Sequence, residues 1–70
     1  MKTSYITLLA AAKEAKEDAM HKSRTSTPED ATRAWMNAAT LYRLGMSPVG
    51  ESYCKRQAQQ WKSRCEKAAD

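Results

Sequence analysis

Two cysteines, one histidine and a few carboxylates are the side chains whose types could support covalent, acid–base or metal chemistry in this chain. Cys54 and Cys65 stand 11 positions apart. On one helix that spacing separates them by about 16 Å, beyond the reach of a disulfide. A Cys-x10-Cys pair with a single His also lacks the spacing of a zinc site. The two thiols therefore read as small apolar side chains in a reducing compartment, with an intermolecular bridge or a reactive thiol as the alternative. His21 lies among charged residues, and nothing near it in sequence supplies the partner or pocket of a general base. Glu14, Glu17 and Asp18 are mixed with lysines, the pattern of a solvated helix face. Gly45 and Gly50 are the only glycines, so there is no Gly-rich phosphate loop. These residues point away from an enzyme and imply no cofactor and no metal.

The surface residues carry more. The net charge of +4 is a mild basic bias, which favours an acidic partner without choosing between nucleic acid and protein. On the expected third helix, Lys55, Arg56, Lys62, Arg64 and Lys67 outnumber Glu51 and Glu66. On a helix, Lys55, Gln59 and Lys62 share one flank, and Arg56, Gln60, Ser63 and Lys67 share another. Arg and Gln after a short turn are the residue types of a major-groove recognition helix, whereas a basic solvated face is the plainer reading. Ile6, Met36 and Leu44 are apolar but fall off the stripes of their helices. Clustered with Met46 and Tyr53, they would form a partner-binding patch. The candidate partner contacts are thus Met36, Leu44, Met46, Tyr53, Lys55, Arg56 and Lys62.

Three helices must position these residues. Tyr5, Leu8, Leu9, Ala12, Ala15, Ala19 and Met20 recur at helical steps and predict a first helix from about Ser4 to Ser23, with Lys16 snorkelling beside the stripe. Thr27-Pro28-Glu29-Asp30 is a helix start: a capping hydroxyl, a proline suited to the first helical position, and two acids for the positive end of the dipole. The second helix carries Ala31, Ala34, Trp35, Ala38, Leu41 and Tyr42 on one face. Gly45 is expected to end it in a left-handed cap, with Met46 folding back on Leu41. Ser47-Pro48 repeats the start signal. The third helix has Cys54, Ala58, Trp61, Cys65 and Ala68 on its apolar face, with Tyr53 at the edge.

No run alternates with the two-residue period of a strand. The fold class is therefore all-α: a compact three-helix domain spanning residues 1–70, with short turns near 24–27 and 45–47. The expected core is Leu8, Leu9, Ala12, Trp35, Ala38, Leu41, Tyr42, Cys54, Ala58, Trp61 and Cys65. Trp35, Tyr42, Tyr53 and Trp61 should dominate its volume. Residues 1–12 have the outline of a secretion signal, but Thr7 interrupts a short apolar run and the helical pattern continues through Met20. The expected location is cytoplasmic, and no apolar run is long enough to cross a membrane.

Trp35, Ala38-Ala39 and Leu41-Tyr42, followed by Tyr53-Cys54, Arg56 and Cys65, resemble the small AraC negative regulator family over about residues 8–66. The resemblance implies a protein that binds an AraC-type transcription activator directly and lowers its activity. It also implies a second target, a histone-like nucleoid-structuring protein. It implies structural roles for Trp35, Tyr53, Cys54 and Cys65, and leaves Arg56 for contact. Two further readings stay open: direct DNA binding through the basic third helix, ranked lower, and a self-associating helical adaptor acting as a homodimer.

Overall fold

The computed structural model describes residues 5–68, which form three helices and no strand: α1 (Tyr5–Thr25), α2 (Pro28–Leu44) and α3 (Pro48–Ala68). The expected start at Ser4 lies outside the described residues. At its other end α1 outruns the expected stop at Ser23. Ser23 Oγ donates to the Ala19 carbonyl at 2.8 Å and Thr25 Oγ1 to that of His21 at 2.9 Å, so both hydroxyls are satisfied within the helix. The turn contracts to Ser26 and Thr27. Thr27 caps α2 as anticipated: its Oγ1 accepts from the Asp30 N–H at 3.3 Å, and Pro28 follows as the first helical residue.

Central α2 carries both other helices, and α1 and α3 meet each other mainly through long side chains. The result measures 46 × 20 × 18 Å. Ala19, Ala31, Ala34, Trp35, Ala38, Ala39, Cys54 and Ala58 form one buried cluster, edged by Ala15, Tyr42 and Trp61. Because α2 packs on two sides, its buried arc is wider than a single stripe and takes in Ala39, which the periodicity had left out. The outer helices have one neighbour each. Leu8, Leu9, Trp61 and Cys65 on those helices are therefore only half-buried, as are Leu41 and Tyr42 near the end of α2, though all six were expected in the core. Two stripe residues of α1 are corrected outright: Tyr5 is 58% exposed and Met20 42% exposed. Tyr53 is exposed as well, so the expected four-ring core reduces to one ring.

That ring is Trp35, the one large side chain among the described buried residues. It touches all three helices. Its Nε1 donates to Ser23 Oγ on α1 at 2.9 Å, and its ring meets Tyr53 on α3 edge-to-face at 5.8 Å and 73°. Lys16 of α1 places Nζ 4.9 Å from the centroid of the same Tyr53 ring.

The end of α2 departs from expectation. Gly45 has φ −82°, and it is Met46, at φ 59°, that takes the left-handed conformation. The Met46 N–H donates to the Arg43 carbonyl at 3.0 Å and the Ser47 N–H to the Tyr42 carbonyl at 2.9 Å, the two bonds of a Schellman ending. Met46 itself is 70% exposed. Gly45 serves close approach instead: a Cβ there would lie 3.0 Å from Leu9 Cδ2 on α1. Gly50 does likewise one turn into α3, where the Tyr42 ring fills the space a Cβ would need.

Two stability predictions follow from this geometry. Trp35→Ala should cost on the order of 3–5 kcal/mol, enough to threaten a domain this small, and a thermal melt like the parent's would remove Trp35 from its central role. Met46→Gly should stabilise by about 0.5–1 kcal/mol, because it relieves a left-handed backbone at a modest entropic cost. Urea denaturation reads the difference, and an unchanged or lower midpoint would contradict the strain.

Candidate partner-binding surface

The structure divides the seven expected contact residues among three places. Met36, Lys55 and Lys62 come together in a groove of about 380 Å³ between α2 and α3. Its remaining lining is Ala39, Thr40, Arg43, Glu51, Ala58 and Gln59. The groove exists because alanines stand where two helices face each other, leaving no bulk to fill the space between rims. Met36 is 59% exposed beside it. Glu51 and Lys55 pair at 2.9 Å across one turn of α3, whereas Arg43 and Lys62 make no ion pair among the described residues. The rim is cationic on balance.

Tyr53 and Arg56 lie on the other flank of α3, in a shallow concavity with Pro48, Val49 and Ser52. A helix advances by about 100° per residue, so positions 53 and 55 stand roughly 200° apart and cannot share a face. Leu44 at the end of α2 and Met46 in the turn flank Gly45, which Leu9 of α1 approaches closely. Leu44, Met46 and Val49 leave the turn end of the α2–α3 pair apolar and exposed, and Tyr5 and Ile6 are exposed on α1. Sequence reasoning missed Arg43 and Val49. Arg43 was findable as the residue seven after Met36, on the same flank of α2.

Helix α3 packs along the whole of α2. Tyr42 lies on Gly50 near the turn, and Thr32 Oγ1 stands 3.9 Å from Cys65 Sγ at the far end. Contacts at both ends make the pair an antiparallel hairpin. Helix-turn-helix DNA readers instead cross at roughly 90–120° so that one helix can stand in the groove. Lys55, Arg56, Gln59, Gln60, Lys62 and Lys67 are all exposed, but they are spread over opposite flanks. Arg64 is turned onto the Trp61 ring, 4.3 Å from its centroid.

Both cysteines are free. Cys54 is wholly buried, and burial pushes its thiol up from the ordinary range, with nearby Lys16 pulling weakly the other way. A protonated, covered thiol is a poor nucleophile. Cys65 is half-buried beside Thr32. His21 is exposed, and no group of three His, Cys, Asp or Glu among the described residues could hold a metal ion. No described helix is long and apolar enough to cross a membrane.

With iodoacetamide under native conditions, Cys65 should be alkylated first and Cys54 more slowly by on the order of tenfold or more, the two becoming alike in denaturant. Peptide mass mapping reads the order, and equal native rates would contradict the burial of Cys54. No family model, curated protein or solved structure matches this chain.

Proposed function

We propose that this protein is a small, non-enzymatic, cytoplasmic negative regulator of transcription. It binds an AraC-type activator directly and blocks the activator's dimerisation or DNA binding, with a histone-like nucleoid-structuring protein as a second target. The supporting observation is the α2–α3 groove, an apolar floor between cationic rims in a chain whose net charge is +4. A surface that mixes exposed Met with Arg and Lys suits a protein partner. The resemblance to AraC negative regulators rests on Trp35, Ala38, Ala39, Leu41, Tyr42, Tyr53, Cys54, Arg56 and Cys65. Of these, Trp35, both alanines and Cys54 are buried, while Tyr53 and Arg56 remain open to a partner.

Direct DNA binding by α3 is the second reading. Its exposed Arg and Gln residues favour it, and the antiparallel hairpin works against it. A self-associating adaptor is the third, favoured by the apolar end around Met46 and Val49.

Gel-shift titration with an activator, its promoter DNA and this protein separates the three. The protein should reduce the activator–DNA complex while shifting no DNA itself. Tight, sequence-selective shifting by the protein alone, falling steeply with salt, would establish a DNA reader in its place. Sedimentation across concentration supplies the other arm, since a strict monomer would remove the self-associating adaptor.

A further inference from the structure

The α2–α3 groove holds enough detail to define the chemistry of its occupant, granted the protein-binding reading above. We propose that it receives an acidic amphipathic α-helix of the partner protein. The floor is Met36, Ala39 and Ala58, and the rims are Arg43 on one side and Lys55 and Lys62 on the other. Along α3 the lining runs from Glu51 to Lys62, about 16 Å or three helical turns. That length and the apolar floor match a helix that lays anchors at positions i, i+3 or i+4, and i+7 into a trough. Met36 is unbranched and half outside, so it can adjust to the anchors it meets.

Charge selects among occupants. Arg43 and Lys62 have no carboxylate partner among the described residues, and Lys55 shares only Glu51. An incoming helix with Asp or Glu flanking its apolar stripe would satisfy them, and a basic helix would meet like charge on both rims. Nucleic acid fits less well. The lining contains no aromatic ring for stacking an unpaired base, and a phosphate backbone would leave the Met–Ala floor uncovered. An added strand has no sheet edge to join among the described residues.

The probe is a labelled helical peptide of about 15 residues with Leu at every third or fourth position, Glu on both flanks and Ala elsewhere. Fluorescence anisotropy measures its affinity for the full chain, and amide chemical shifts locate it. The Glu peptide should bind, move the resonances of Met36, Ala39 and Ala58, and outbind a Lys-for-Glu version by about tenfold or more. Met36→Asp and Lys62→Glu, both at exposed positions, should each weaken it by about tenfold, and Arg56→Glu on the opposite flank should leave it unchanged. The proposal is overturned if neither peptide binds up to about 1 mM. It is also overturned if the Lys version binds equally, if the shifts map to Tyr53 and Arg56, or if duplex DNA displaces the peptide at physiological salt. The same variants separate this proposal from the regulatory function. An activator captured equally well by parent and Met36→Asp protein sinks the groove and spares the function, whereas peptide binding without activator binding does the reverse.

Discussion

The contact that organises this molecule is the seat of Trp35. One indole on the central helix donates to Ser23 on α1 and meets Tyr53 on α3 edge-to-face, while Lys16 reaches from α1 over that same tyrosine. Each part is modest: about 1 kcal/mol for the hydrogen bond, roughly 0.5–1.5 for the aromatic pair and about 0.5–1 for the cation over the ring. Their geometry matters more than their sum. The outer helices meet mainly through long side chains, so the indole and its neighbours join elements that the backbone alone would hold only pairwise. Everything else in the buried apolar cluster is alanine or cysteine, which can bring helices close but cannot bridge three of them.

A core made of alanines has a consequence at the surface. Close helices with small facing residues leave troughs wherever no long side chain crosses, and the α2–α3 groove is such a trough, with Ala39 and Ala58 in its lining. The charge pattern is tied to the same geometry. The flank of α3 that turns toward α2 brings Lys55 and Lys62 to the rim, and α2 contributes Arg43 opposite them. Groove and fold economy thus come from one choice of residue size: the alanines that admit the helices to one another also open a trough beside them.

Much of this was readable from residue types. The three helices, the Thr27-Pro28 start and the inward Ala–Trp–Cys pattern all follow from periodicity and capping, which are local. What failed depended on neighbours far along the chain. Gly45 looked like a left-handed cap because glycine at a helix end commonly is one. Its actual constraint is Leu9, 36 positions earlier, and the left-handed turn fell to Met46. Tyr5 and Met20 belong to the apolar stripe of α1, but a helix with one neighbour cannot cover its whole stripe. Ala39 was missed for the opposite reason, since α2 has two neighbours. The seven expected contact residues do not share one surface. Spacing along α3 was enough to part Tyr53 from Lys55, but only packing showed which flank faces α2.

The residues on which the proposed resemblance to AraC negative regulators rests are mostly those that hold the chain together. Trp35, Ala38, Ala39 and Cys54 are buried, and Cys65 stands half-covered against Thr32. Substituting them tests folding before it tests recognition, because a cavity under Trp35 removes the seat for both outer helices at once. On the proposed function, recognition resides in side chains the fold can spare. Met36, Arg43 and Lys62 meet that condition: each is exposed, and the charges of Arg43 and Lys62 enter no ion pair among the described residues. Lys55 meets it in part, since its Glu51 pairing is local to one turn and can be exchanged for a partner's carboxylate at little cost. A surface assembled from such residues can change its partner while the indole and the alanines stay as they are. On the proposed reading, the choice of target lies in the few exposed positions around the groove, whereas most residues of the proposed resemblance lie buried or half-buried beneath them.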